Sequence, residues 1–333
     1  MRKIVIFGAT GTIGAYMAVE LSHKYEIIAV GRRSSDNGFF EKNGIKYYSV
    51  DIENKLDFLK IVEENIYAVV HLAGVMPAAM EGYHPSRYID SVIKGTLNVL
   101  DFCIEKKVEK IIFSQSRADS NYLMGKTPIP SDIVKKFPLK GDHAVYSICK
   151  NAAVDLIEHY YHQYGLKRFI LRLPTIYAYH PNPYFYVDGN KKYMAYRYLI
   201  EKAIKGETIE IWGDPTKSKE IVYIKDAIQV FDKALASNLE GGVYNVGRGV
   251  GVSLEEQIRG IVDVFSSPLK RSKIMYCPDK PDGREYVNDI SKTREELGYN
   301  PQYDYIVLLQ DYKKYLEEEP FAELWGKRKD YII

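Results

Sequence analysis

Lys3-Ile4-Val5-Ile6-Phe7 runs without a break into Gly8-Ala9-Thr10-Gly11-Thr12-Ile13-Gly14, and this stretch decides the fold. Four apolar, mostly β-branched residues after Lys3 read as a buried strand, and a helical pattern opens at Thr12. Between them the glycines are spaced G-x-x-G-x-x-G. Glycine there permits a tight turn and lets backbone N–H groups approach a pyrophosphate at a helix N-terminus. A glycine-rich turn without a ligand has the same local pattern, but here a second apolar run at residues 26–30 completes the start of a βαβ unit. Gly8, Thr10, Gly11, Thr12, Ile13 and Gly14 are therefore the expected dinucleotide loop.

The second run ends in Val30-Gly31-Arg32-Arg33, followed by Ser34 and Ser35. NAD sites place an acid here for the ribose 2′-hydroxyl, whereas arginine accommodates the 2′-phosphate of NADP. The acid is missing, so Arg32 and Arg33 predict NADP, with NAD possible and a solvated basic turn as the plainer alternative.

Further out, apolar runs at 46–50, 68–72, 110–114 and 168–173 alternate with amphipathic stretches, notably 83–106 and 143–164. Alternation of this kind predicts an α/β protein with a doubly wound, Rossmann-type parallel sheet. After Leu173 the texture changes: Pro174, Pro181 and Pro183 interrupt it, and residues 177–198 are dense in tyrosine. Residues 1–173 are expected to form the NAD(P)-binding domain, with buried runs at 221–224 and 243–246 (within 221–247) returning to its sheet. Residues 174–220 and 248–325 then make a smaller, mixed α/β substrate-binding part, and 326–333 a solvated tail.

Composition removes several classes. The chain of 333 residues carries 46 basic and 44 acidic side chains, so its charge gives no general case for nucleic acid or a membrane surface. Three scattered cysteines, Cys103, Cys149 and Cys277, make neither a disulfide framework nor a metal cluster, so no metal is expected. No apolar run reaches the ~20 residues of a bilayer crossing, and the N-terminal run enters a glycine loop where a signal peptide would have its cleavage site. A cytoplasmic protein is expected.

Tyr146 and Lys150 stand four apart in a helical pattern and share a face. A tyrosine is a poor base near neutrality, and a neighbouring ammonium would favour its phenolate. The lysine can also hold a cofactor ribose. Ser116, thirty residues earlier, ends an apolar strand and puts a hydroxyl at the carboxyl edge of the sheet, where open α/β folds bind ligands.

With these pieces in place, the sequence resembles the extended short-chain dehydrogenase/reductases of the NAD-dependent epimerase/dehydratase type over nearly its whole length. The resemblance rests on the glycine loop, His71-Leu72-Ala73-Gly74, Gly95-Thr96-Leu97-Asn98, Phe113-Ser114-Gln115-Ser116, Tyr146 to Lys150, Leu171-Arg172-Leu173-Pro174, Ile221 to Asp226, Val243 to Gly247, Asp289-Ile290-Ser291-Lys292 and Leu297-Gly298-Tyr299. It implies a catalytic set in which Ser116 holds the substrate oxygen, Tyr146 moves its proton, and Lys150 tunes Tyr146 and binds ribose. It also implies that Asp51 and Ile52 meet the adenine and that Leu72, Ala73 and Gly74 line the cofactor; Asp51 reads equally well as a helix cap. Two long amphipathic helices imply a homodimer built on a four-helix bundle.

The departures are informative. The asparagine of many relatives, three residues before Gly95-Thr96, is Val92. Arg117-Ala118 stands where dehydratases of the family carry Asp-Glu, so water elimination is not expected. Thr175 replaces the usual substrate asparagine, Lys219 replaces an arginine, and either Lys280 or Arg284 supplies the last phosphate contact. Tyrosines 177–198 read as a nucleobase wall or, more plainly, as packing at a domain seam, and His180 is a further candidate contact. The expected function is an NAD(P)-dependent epimerase or ketoreductase of a nucleotide-activated sugar. The rivals are reduction of a smaller carbonyl compound and an idle dinucleotide sensor.

Overall fold

The computed structural model describes residues 1–126 and 128–331. The apolar runs become six parallel strands: β1 (Lys3–Phe7), β2 (Glu26–Gly31), β3 (Lys46–Ser49), β4 (Ile66–His71), β5 (Lys110–Ser116) and β6 (Lys167–Leu173). A seventh, Gly241–Asn245, joins outside β6, and the sheet order is Gly241–Asn245, β6, β5, β4, β1, β2, β3. The order reverses beside β1, with β2 on one side and β4 on the other. That switch point opens a crevice at the carboxyl ends of the strands, where Gly8, Gly31, Leu72 and Ser116 come together.

Alternate residues of the strands feed two cores. Ile4, Ile6, Ala29, Ile112 and Phe169 face the helices Thr12–Leu21, Ile224–Ala236, Leu254–Phe265 and Tyr305–Glu318. Val5, Phe7, Val69 and Ile111 face the helices Gly95–Glu105 and Asp142–Tyr164. The first core continues from the sheet into the C-terminal helices, so apolar packing ties the C-terminal part directly to the nucleotide-binding sheet.

Three local expectations change. Of the two runs expected to return to the main sheet, only the second does. Val222–Tyr223 pairs instead with Ile176–Tyr177, beyond the break at Pro174, because Gly241–Asn245 already occupies the free edge of β6. The stretch 83–106 is not one uniform helix: a turn at Pro85–Tyr88 passes through π-helix at Ile89–Lys94 before the α-helix Gly95–Glu105. The tail is not free: Arg328 pairs with Glu201, and the Tyr331 hydroxyl donates to the Trp325 carbonyl. Residues 332–333 of that tail lie outside the described residues.

The tyrosines of 177–198 pack as a seam. Tyr177 stacks on Tyr196 at 4.1 Å between centroids, and the Tyr196 hydroxyl donates to the Ala178 carbonyl.

Candidate functional site

Backbone approach explains the glycine loop. Gly8 turns at φ +89°, and a Cβ there would stand 2.7 Å from the Ala73 nitrogen. A Cβ on Gly14 would stand 2.3 Å from the Gly8 carbonyl oxygen. The turn is fastened by Gly8 and Ala9 N–H groups donating to Val30, and by Gly11 N–H donating to Gly8. The helix that follows opens with Thr12 and Ile13; no side chain among the described residues caps it, and its first turn holds no acid. This N-terminus suits an anion, which fits the pyrophosphate of a dinucleotide. The Thr10 carbonyl is taken from the far end of the chain, by the Trp325 indole N–H at 2.9 Å.

At the ends of β2 and β3 the expected residues divide. Arg32 is exposed and stands 3.8 Å from Glu53. Arg33 turns away and donates to the Leu324 carbonyl, so it is tied to the C-terminal segment. The Asp51 carboxylate accepts from the Glu53 N–H at 3.1 Å; the helix cap expected as its alternative role falls instead to Asn54, whose side chain accepts from the Leu56 N–H. Ile52 is buried under Gly95, where a Cβ would meet its Cδ1 at 2.6 Å, and its carbonyl accepts from Asn98. Thr96 binds His71 at 3.0 Å. The Gly-Thr-Leu-Asn run thus clamps the turn after β3 to β4. Ala73 and Gly74 border the crevice after β4, and Val92 packs against Gly74 from the π-helical turn.

The three candidate catalytic residues meet at the end of β5. Ser116 caps the short helix Arg117–Leu123, its hydroxyl accepting from the Ala118 N–H at 3.2 Å. Tyr146 is buried, with its ring 6.0 Å from Tyr88. Burial pushes the Tyr146 phenol up to about 12, and the Ser116 hydroxyl opposes that rise. Lys150, one turn along the helix, is 5% exposed; its ammonium donates to the Ser114 carbonyl at 2.7 Å and lies over the Phe113 ring. Burial pulls Lys150 down to about 7. Desolvation therefore works against the charged form of both groups, the phenolate of Tyr146 and the ammonium of Lys150. His71 lies behind them, held neutral by burial at about 3.

Across the crevice, Lys219 is on the strand Ser218–Glu220, and that strand receives the Tyr286 backbone on one side: Glu220 N–H donates to Tyr286 and Tyr286 N–H to Ser218. Burial lowers the proton affinity of Lys219, and Arg284, which belongs to the same segment as Tyr286, lowers it further. Lys280 lies instead over the exposed Trp212 ring, so of the two alternatives Arg284 faces Lys219. Thr175 is exposed at the end of β6. The His180 ring packs 4.5 Å from Trp325, and its Nδ1 accepts from the Asn182 N–H.

Residues 4–247 match the sequence profile of the NAD dependent epimerase/dehydratase family. The chain belongs to that family. An uncharacterised protein of Methanocaldococcus jannaschii is 26% identical over 318 residues, 90% of this chain and 92% of its own. A UDP-glucuronate 4-epimerase of Thermodesulfobacterium geofontis is 27% identical over 269 residues, 80% of this chain and 77% of its own. Among solved structures, the UDP-glucose 4-epimerase of Thermotoga maritima with UDP-glucose has a TM-score of 0.75 at 24% identity, covering 95% of this chain and 99% of that one. A UDP-glucuronic acid 4-epimerase of Bacillus cereus with NAD gives 0.70 at 22%, covering 94% and 99%. The structural likenesses establish the fold.

Within this epimerase/dehydratase framework two residues gain a place that the sequence reading did not give them. Arg117 stacks on Tyr286, with its guanidinium carbon 3.7 Å from the ring centroid. The loop that carries it is pinned by a buried ion pair between Asp119 and Arg172 at 3.3 Å. Glu220 is buried beside this group, held by the Arg248 and Gly249 N–H groups and by Asn288, and burial pushes it up to about 7. Only the position of Arg117, next to Ser116, hinted at a role.

Proposed function

We propose that this chain is an NAD(P)-dependent epimerase acting on a nucleotide-activated sugar. The observation that carries the reading is the meeting of Ser116, Tyr146 and Lys150 at the sheet's switch point, opposite a wall bearing Lys219 and Arg284. When bound, the oxidised nicotinamide ring supplies a hydride acceptor and a positive charge that favours the Tyr146 phenolate. Ser116 holds the reacting sugar hydroxyl, and the Tyr146 oxygen takes its proton as the carbinol carbon gives up hydride and becomes a ketone. Tyr146 returns the proton when hydride comes back to the opposite face, which inverts the carbon with no net oxidation. Lys150 is placed to hold the ribose, and Lys219 with Arg284 to hold a diphosphate. That cationic wall favours a nucleotide-linked substrate over a small neutral carbonyl compound.

The cofactor preference is for NADP, and it rests on Arg32 alone, since Arg33 is engaged by Leu324. A homodimer is proposed from Ile89, Leu97 and Ile148, which are exposed on the helical stretch 85–105 and on the helix Asp142–Tyr164. Burying that apolar stripe against its symmetry mate satisfies an isologous interface. A cytoplasmic location is part of this proposal. No helix among the described residues is long and apolar enough to cross a membrane.

The test is direct. Purified protein with NAD or NADP is incubated with UDP-linked sugars, and epimers are separated by chromatography. Mass spectrometry of any nucleotide that copurifies gives an independent reading. Inversion at one sugar carbon is the expected outcome; a net change in cofactor redox state without inversion would make the protein a reductase instead.

A further inference from the structure

Ser116 ends β5, while Tyr146 and Lys150 share one turn of the helix Asp142–Tyr164. Ser116 and Tyr146 meet the same hydroxyl, so catalysis needs strand and helix at a fixed separation. Lys150 supplies one tie through its bond to the Ser114 carbonyl. A second tie runs through two carboxamides that the mechanism leaves unused, Gln115 and Asn151, the sequence neighbours of Ser116 and Lys150. The Ser116 N–H donates to the Gln115 Oε1 at 2.8 Å. The Gln115 Nε2 donates to the Asn151 Oδ1 at 3.4 Å, and the Asn151 Nδ2 donates to the Ser147 carbonyl at 2.8 Å. These bonds form a chain from the backbone of Ser116 to the backbone of the residue after Tyr146.

Gln115 is 3% exposed and Asn151 is 7% exposed. Burying a carboxamide is costly unless its hydrogen bonds are made, and apolar side chains would suit the surroundings. Val154, Ile170 and Val243 border the same cavity of about 120 Å³ that both carboxamides line. The cavity leaves the pair without packing on that side, so hydrogen bonds hold it. The middle bond of the chain is longer than the usual range of about 2.7–3.2 Å. Bonds at catalytic sites are often long before substrate arrives and tighten in the loaded site.

We propose that Gln115 and Asn151 are positioning residues, which together set the distance at which Ser116 and Tyr146 share the reacting hydroxyl. This rests on the proton-transfer reading above and deepens it. The Ser116 hydroxyl opposes the rise that burial causes in Tyr146, so a slack bridge should let that rise grow. The other groups facing Tyr146 are Tyr88, from the turn Pro85–Tyr88, and His143 and Lys150 of its own helix. Substituting Gln115 or Asn151 leaves all three in place.

The test is a magnetic-resonance titration of the complete protein, saturated with whichever of NAD and NADP it binds more tightly. Tyrosine is carbon-13 labelled at Cζ, and the Tyr146 signal is the one missing from Tyr146→Phe. Gln115→Met and Asn151→Leu keep the side-chain size and remove the polar ends. Each should raise the titration midpoint of Tyr146 by about one pH unit, the worth of a weakened hydrogen bond to a phenolate. The double variant should raise it no further, because either cut breaks the same chain. Inversion of the UDP-linked sugar that the chromatographic assay finds turned over should slow about tenfold near neutrality, with its KM within about threefold. An unmoved midpoint in either single variant, in protein whose thermal melt is unchanged, overturns the proposal. So does a double variant whose shift is the sum of the two singles, since the residues would then act independently. If the midpoint moves but Tyr146→Phe inverts the sugar at the unaltered rate, the proton-transfer reading itself fails, and the positioning role fails with it.

Discussion

Lys150 should make the protein less stable than it would be with an apolar residue at that position, and the deficit should shrink as the pH rises. The side chain is 5% exposed, and among the described residues its ammonium has one acceptor, the Ser114 carbonyl. Burial brings its pKa to about 7 from the usual 10.5. The unfolded chain then holds this proton up to the ordinary lysine range, while the folded chain releases it near neutrality. Between those values the unfolded state binds more protons, so stability rises with pH at about 1.4 kcal/mol per unit. From about pH 7.5 to about pH 9 the gain is about 2 kcal/mol. Glu220, pushed up to about 7, titrates mostly below this window. Lys150→Met removes the group, keeps most of its volume, and gives up one hydrogen bond of about 1 kcal/mol. Urea unfolding of nucleotide-stripped protein and variant, at several pH values, measures the difference. The advantage of Lys150→Met should be greatest at the acid end and fall by about 2 kcal/mol across the window. Parallel stability curves for the two proteins would refute the assignment of a buried, easily deprotonated lysine.

Cofactor choice and assembly give two further expectations. Titration calorimetry should find NADP(H) bound more tightly than NAD(H), and Arg32→Ala should abolish most of the difference, whereas Arg33→Ala should not. Tighter NAD(H) binding by the unaltered protein would reverse that reading. Light scattering should give a dimer mass at micromolar concentration, and Leu97→Glu, which puts a charge into the exposed stripe, should shift it towards monomer; a monomer mass for the unaltered protein would rule out the interface.

What the sequence makes legible is local. Gly8 and Gly14 are forced by backbone contacts within or beside the turn, so their spacing reports the turn directly. Tyr146 and Lys150 share a helical face by periodicity alone. The Gly95-Thr96-Leu97-Asn98 run is recognisable because three of its positions each meet one partner: Ile52, His71 and the Ile52 carbonyl. Contacts between distant parts of the chain leave no such trace. Trp325 reaches Thr10 across 315 positions, and Leu324 captures Arg33, so a basic pair that reads as one site is divided. Arg117 reads as a missing acid in sequence and becomes a half-buried cation stacked on a ring only when the Tyr286 segment folds over it. The lowered charge of Lys150 is also a tertiary effect, since it follows from how deeply the helix Asp142–Tyr164 is buried against β5.

The central claim is that Tyr146 moves the proton of the reacting hydroxyl. Tyr146→Phe removes one oxygen and keeps the ring that packs against Tyr88, so fold and dinucleotide affinity should be retained. The measurement is the inversion rate of the variant, with saturating cofactor and the nucleotide sugar found to be turned over. General acid–base participation is typically worth about 10²–10⁴-fold, and a fall in that range with cofactor binding unchanged is the expected result. Inversion by Tyr146→Phe at the unaltered rate would contradict the account.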